Sequence, residues 1–111
     1  MMTRVELAEL PNDFRLIQDE QIELAFGTTG KYAGSEHLIL TNKRIIIQES
    51  KSLPCEVIPY STITRYTLDS SGNLVLHGID SGRFATTNII KKLSKQNVLD
   101  VEYLIASKIC K

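Results

Sequence analysis

The sequence predicts a mainly β, α+β fold in which about seven short antiparallel strands precede one C-terminal helix. Apolar residues alternate with polar ones between residues 21 and 90, and turn residues interrupt that pattern at short intervals. No helical pattern separates the strands, which excludes parallel strands joined by crossover helices. From Asn97 the apolar spacing changes to that of a helix. These three observations predict an antiparallel sandwich or barrel with one helix closing it.

Length and charge limit the functional classes. The chain has 111 residues, the size of one domain, and its 13 basic and 13 acidic side chains cancel. A neutral surface does not attract nucleic acid or anionic lipid over long distances, so we expect no nucleic-acid partner and little general membrane contact. No signal-peptide-like or membrane-spanning apolar run is present, which favours a cytoplasmic location.

Residues 1–20 are predicted to form an N-terminal helical extension. Thr3 and Glu6 have the spacing of a capping box, in which each side chain bonds a backbone N–H at the start of a helix. A short helix is therefore expected from Arg4 to Leu10. Pro11 should end it, because proline removes a backbone donor.

Residues 21–90 are predicted to form the barrel. The expected strands cover residues 21–26, 37–40, 45–47, 54–58, 63–68, 74–77 and 83–90. The run at 45–47 lacks alternation, which indicates a strand covered on both faces or one at a sheet corner. Residues 41–44 should form a tight hairpin turn. Strands between Lys31 and Glu49 are expected to form an exposed edge, guarded by Lys43 and Arg44.

Residues 97–110 are predicted to form the capping helix, with Asn97 as its N-cap. One apolar stripe, suited to packing on the sheet, contains Val98, Val101, Ile105 and Ile109. A second stripe lies beside it and contains Leu99, Tyr103, Ala106 and Cys110. Two explanations of the second stripe stay open: the N-terminal helix covers it, or a neighbouring subunit does.

Sequence motifs indicate no catalytic or metal site, and no cofactor is expected. Cys55 and Cys110 are too few for a disulfide framework and match no zinc spacing. His37 and His77 are interpreted as sheet-surface residues. The loop at residues 27–31 fails the phosphate-loop pattern and is interpreted as a hairpin turn. Lys91, Lys92 and Lys95 form a basic cluster, interpreted as a solvated linker with phosphate contact as the alternative.

Three segments resemble the bacterial pleckstrin-homology (PH) domain family. Residues 20–26 (EQIELAF) and 40–46 (LTNKRII) are similar to that family's acidic first strand and its Thr-Asn-Lys-Arg turn. Residues 58–63 (IPYSTI) resemble its Ile-Pro-Tyr link between strands. The resemblance covers about residues 16–110. It implies a strongly bent, partly open seven-stranded barrel with the C-terminal helix at one end, a non-enzyme, and assembly into homo-oligomeric rings.

The leading hypothesis is a non-catalytic, self-associating module that binds protein or peptide at a sheet edge or beside the helix. Leu99, Tyr103 and Cys110 are its candidate oligomer interface. A second hypothesis is a membrane-surface or anionic head-group module, with Lys31, Lys43 and Arg44 as candidate ligand-binding residues. A third is an enzyme whose site assembles only in the fold or the oligomer.

Overall fold

The computed structural model describes residues 2–5, 15–28, 36–48, 55–79, 85–91 and 93–109. The chain divides into two compact units, Met1–Ile58 and Pro59–Lys111. The prediction of one domain spanning residues 1–111 stays a prediction, and each unit is described by itself.

The first unit contains a five-stranded sheet with the strands in sequence order. Its strands are β1 (Thr3–Arg4), β2 (Ile22–Gly27), β3 (His37–Thr41), β4 (Arg44–Gln48) and β5 (Glu56–Pro59). The pairs β1–β2, β2–β3 and β3–β4 are antiparallel. Every residue of the central strand β3 is buried, so this strand is covered on both faces.

Burial in β4 confirms the interpretation of its unbroken apolar run. Ile45 and Ile46 are buried, and Ile47 is half-buried. The predicted exposed edge is wrong, however, because β3 lies between β2 and β4, and β4 in turn pairs with β5. Lys43 and Arg44 therefore do not guard a free edge.

His37 is buried rather than on the sheet surface, which corrects its interpretation from the sequence. Its Nδ1 atom forms a 3.0 Å hydrogen bond with Oε1 of Gln48, which is also buried. The ring lies against Gly27, where an added Cβ would be 3.2 Å from His37 Cδ2 and 3.3 Å from Val5 Cγ1. The missing side chain of Gly27 gives the imidazole its space.

The second unit contains a three-stranded antiparallel sheet and a helix. Its elements are a short 3₁₀ helix (Tyr60–Thr62), β6 (Ile63–Leu68), β7 (Leu74–Ile79), β8 (Ala85–Ile90) and α1 (Lys95–Ile109). Asp69 Oδ1 accepts hydrogen bonds from the backbone N–H groups of Ser71 and Asn73, which closes the turn between β6 and β7. Gly72 in that turn has φ of 82°, a conformation that favours glycine.

Helix α1 begins earlier than the sequence predicted. Ser94 Oγ accepts a 3.2 Å hydrogen bond from Asn97 N, and Ser94 O accepts one of 2.9 Å from Val98 N. Ser94 therefore caps the helix, and the prediction of Asn97 as N-cap is wrong. The first apolar stripe is confirmed at its centre, where Val98, Val101 and Ile105 are buried.

The α+β class, the antiparallel strands and the C-terminal helix agree with the sequence prediction. The described residues form eight strands in two sheets that are not closed into a barrel, rather than a seven-stranded barrel. The predicted start of an N-terminal helix at Arg4 is wrong, because Arg4 pairs with Phe26 as part of β1. Most of that predicted helix, residues 6–10, lies outside the described residues.

Candidate functional site

The Thr-Asn-Lys-Arg turn between β3 and β4 holds the chain segment that precedes β2. Asn42 Oδ1 accepts a 2.8 Å hydrogen bond from Gln21 N, and Asn42 Nδ2 donates one of 3.1 Å to Asp19 O. Lys43 Nζ donates a 2.7 Å hydrogen bond to Gln18 O. Side chains of the turn thereby satisfy three backbone groups of this segment, one amide and two carbonyls.

Glu20 and Arg44 form a bidentate ion pair beneath this turn. Arg44 Nε lies 2.8 Å from Glu20 Oε2, and Arg44 Nη2 lies 2.9 Å from Glu20 Oε1. The Thr41 hydroxyl donates a 2.7 Å hydrogen bond to Glu20 Oε2, and Ile17 N donates one of 3.0 Å to Oε1. The Glu20 side chain is 0% exposed and that of Arg44 is 18% exposed. We refer to Glu20, Thr41 and Arg44 as the buried clamp.

The buried clamp keeps both of its charged groups ionised. Hydrogen bonds from the Arg44 guanidinium lower the pKa of Glu20 to about 2, although burial of the carboxylate acts in the opposite direction. The same carboxylate raises the pKa of Arg44. Glu20 therefore carries no exchangeable proton near neutral pH, and its geometry is that of a structural group.

The three candidate ligand-binding residues have different environments. Arg44 is engaged in the buried clamp and also donates a 3.1 Å hydrogen bond from Nη2 to Arg15 O. Lys43 is exposed, with its ammonium group on the carbonyl of Gln18. Lys31 lies outside the described residues. Two of the three thus have internal partners, and a ligand-binding role for the set stays a prediction.

Helix α1 exposes part of its second apolar stripe. Tyr103 is 80% exposed and Leu99 is 49% exposed, whereas Val101 and Ile105 are fully buried. Residues four positions apart lie on one helix face, so Leu99 and Tyr103 are neighbours. Ala106 is half-buried, and Cys110 lies outside the described residues. We refer to Leu99 and Tyr103 as the helix patch.

A cavity of about 370 Å³ lies beside β2 in the first unit. Its described lining residues are Arg4, Val5, Leu16 and residues 20–25. The volume is within the range of small-ligand and peptide pockets. Most of the lining is apolar, with Arg4 and the two glutamates as its charged members.

Two further properties concern the described part of the chain. It contains no group of three or more His, Cys, Asp or Glu residues placed to hold a metal ion. None of its helices has the length and apolar content required to cross a membrane.

Comparison with known proteins does not assign the chain to a family. No family model matches the chain, and neither a curated protein nor a solved structure matches it. The class that the fold defines is an α+β protein with antiparallel sheets and a C-terminal helix. Functional proposals accordingly rest on the surfaces described above.

Proposed function

We propose that this chain is a non-catalytic, PH-like binding module that self-associates through the helix patch and acts in the cytoplasm. The proposal is supported by the element order, since seven strands of four or more residues precede one helix in the part of the chain that the structure describes. Closed rings or dimers are the usual products of self-association, because a closed assembly leaves no free interface.

The exposure of Tyr103 carries this proposal. A tyrosine that is 80% exposed beside a half-exposed leucine places a large apolar area in water on one helix face. Aromatic side chains are enriched at the centres of protein interfaces, where they supply rigid contact area with little loss of side-chain entropy. The opposite side of α1 is already buried, so the helix patch is the part of the helix that a partner can cover.

The charges on α1 suit contact with a second copy of the same helix. The helix carries Lys95 and Lys108 together with Asp100 and Glu102, so its charges balance. Two such helices can therefore meet without net repulsion. A strongly basic or acidic helix would oppose pairing with itself.

The two described carboxylates with lowered pKa values support a non-catalytic role. The pKa of Glu20 is low because the carboxylate is bound by Arg44, and that of Asp69 is low because Asn73 and its neighbours donate hydrogen bonds to it. Both groups therefore stabilise local structure in ionised form. A general acid or base needs a pKa close to the working pH instead.

The cavity beside β2 supports the peptide-binding part of the proposal. Apolar walls would accept the side chains of a bound segment. This assignment uses residues of the first unit, whereas the helix patch is in the second. Self-association and peptide binding can thus be tested by separate variants.

Replacing Tyr103 with serine is expected to weaken self-association about tenfold or more while leaving the melting temperature nearly unchanged. The reason is that an exposed side chain contributes little to the folded monomer but much to an interface that buries it. Size-exclusion chromatography with light scattering over a concentration series measures the change.

Leu68→Ser is the matched control, because Leu68 is another exposed large apolar residue of the second unit. Its variant should keep the oligomer size of the parent chain. A parent chain that is monomeric throughout the micromolar range would contradict the self-association proposal. Equal weakening by both substitutions would contradict the assignment to the helix patch.

Contact with a membrane surface is the second candidate function, and one observation favours it. Leu16 and Ile17 are exposed large apolar residues, and Lys43 bonds the carbonyl of the next residue, Gln18. An apolar pair beside a cation on a hydrogen-bonded turn is suited to the boundary between lipid head groups and acyl chains.

Flotation with anionic liposomes at low salt tests this candidate. We expect the double substitution Leu16→Ser and Ile17→Ser to remove co-flotation, and Lys43→Gln to reduce it by about threefold to tenfold, since one basic residue near an anionic surface contributes about 1 kcal/mol. Lys108→Gln, in the last turn of α1, is the control for loss of one positive charge. Absence of co-flotation by the parent chain would eliminate the membrane function.

A further inference from the structure

One face of the three-stranded sheet carries a row of hydrogen-bond donors. The register pairs Arg65 with His77 across β6 and β7, and His77 with Thr87 across β7 and β8. Directly paired residues point to the same face, with their Cβ atoms about 5 Å apart. Arg65 and Thr87 are exposed, and His77 is half-buried. We refer to Arg65, His77 and Thr87 as the donor row.

An irregularity in β6 creates this row. Ile63 pairs with Gly78, but the next pair is Arg65 with His77, so Thr64 is an extra residue in the strand. A regular strand would place Arg65 opposite Leu76, whose side chain is buried. The bulge rotates Arg65 to the exposed face, where it joins His77. Bulges commonly re-aim side chains in this way beside binding sites.

A hydrogen bond fixes the imidazole of the donor row. Thr67 Oγ1 lies 3.0 Å from His77 Nε2. If the Thr67 hydroxyl donates to Nε2, the neutral ring has its proton on Nδ1, which is then a free donor. If Nε2–H donates to the hydroxyl oxygen instead, the hydroxyl proton is the free donor. Either tautomer therefore leaves one donor in addition to the bond between the two side chains. The Arg65 guanidinium supplies up to five N–H donors, and the Thr87 hydroxyl supplies one more.

No acidic side chain balances this row within the part of the sheet that the structure describes. The neighbouring row on the same face contains Thr67, Val75 and Ile89, all of them uncharged. Asp69, at the end of β6, has its carboxylate bound within the turn. The face is therefore locally cationic although the whole chain has no net charge. An anion with several oxygen atoms matches both the sign and the donor geometry.

We propose that the donor row binds a phosphate group, either a free phosphate or the head group of a phosphate-bearing lipid. The guanidinium binds two phosphate oxygens at once, and the hydroxyl and imidazole groups bind from the neighbouring strands. This site is distinct from the helix patch and from the cavity beside β2. It does not depend on self-association.

Titration of the ¹⁵N-labelled chain with inorganic phosphate, at ionic strength held constant with chloride, tests the free-phosphate arm. Saturable amide shifts centred on the donor row are expected. Arg65→Gln should weaken binding about tenfold or more, because it removes charge-assisted hydrogen bonds. Thr87→Val, which is nearly isosteric, should weaken it by a smaller factor. Unchanged spectra away from the row will show that both variants remain folded.

Lys108→Gln is the matched control, since it removes the same charge from the last turn of α1, outside both the donor row and the basic cluster. Co-sedimentation with vesicles of phosphatidylcholine and phosphatidic acid tests the lipid arm with the same variants. Binding of either probe that is lost in Arg65→Gln and kept in Lys108→Gln supports the site and identifies its source of phosphate. The proposal is overturned if neither probe binds, if the shifts centre elsewhere, or if Lys108→Gln weakens binding as much as Arg65→Gln.

Discussion

Replacement of Ile105 with alanine is expected to lower the free energy of unfolding by about 2–5 kcal/mol. The Ile105 side chain is 0% exposed, and it lies one helical turn from the equally buried Val101 on the stripe of α1 that faces its own unit. Within that unit, α1 contacts the 3₁₀ helix and β6. Truncation removes apolar contacts and leaves a cavity that the neighbouring elements fill only in part. Urea denaturation followed by circular dichroism measures the difference in unfolding free energy between the variant and the parent chain.

Leu99→Ala is the control for this truncation, because it removes the same number of carbon atoms from the same helix at a half-exposed position. Its cost should stay below about 1 kcal/mol in the monomer. Equal losses for the two variants, at unchanged oligomer size, would show that the division of α1 into a buried and an exposed stripe is wrong. Dilution to a concentration at which the chain is monomeric separates folding from assembly.

The periodic elements of this fold could be predicted from the sequence because their burial is one-sided. Alternation located β2 and β6, and the change to helical spacing located α1. Elements that depend on a distant partner could not be found in this way. β1 is only two residues long and forms because Thr3 and Arg4 pair with Gly27 and Phe26, whose distance in sequence hides the pairing.

Candidate sites were harder to predict than strands. Their charge makes Lys43 and Arg44 candidate ligand-binding residues in the sequence. The sequence does not show that Glu20, 24 positions before Arg44, neutralises the Arg44 guanidinium. Glu20 is the first residue of the acidic segment 20–26 (EQIELAF), but that pattern assigns it no role. The donor row was missed because regular alternation from Ile63 places Arg65 on the inner face. Only the residue pairing between β6 and β7 reveals the bulge, which turns Arg65 to the exposed face.

Replacement of Glu20 with glutamine is expected to destabilise the chain by about 2–4 kcal/mol at neutral pH. Glutamine retains the size of the side chain but removes the charge that compensates the Arg44 guanidinium, which is largely excluded from water. The segment before β2 also loses part of its attachment, because Glu20 connects Ile17, Thr41 and Arg44. Urea denaturation at pH 7 measures the loss.

The stability of the parent chain should fall in acid for the same reason. The pKa of Glu20 is about 2 in the folded chain and 4.5 in its ordinary state, so the unfolded chain binds more protons between these values. The contribution of the ion pair is complete above pH 4.5 and is lost as the pH falls towards about 2. This contribution is about 3 kcal/mol. Denaturation at a series of pH values should show a smaller acid loss for Glu20→Gln than for the parent chain.

A double-mutant cycle with Arg44→Gln separates the ion pair from the other bonds of the clamp. We expect a coupling energy of about 1–3 kcal/mol between the two substitutions, because each one alone leaves a partly buried charge without its partner. Lys43→Gln is the control in the same turn, and its exposed hydrogen bond to Gln18 should contribute less than about 1 kcal/mol. Two results together would refute the ion pair as the stabilising contact of this turn. The losses of unfolding free energy in Glu20→Gln and Arg44→Gln would be additive, and the parent and Glu20→Gln chains would lose stability equally in acid.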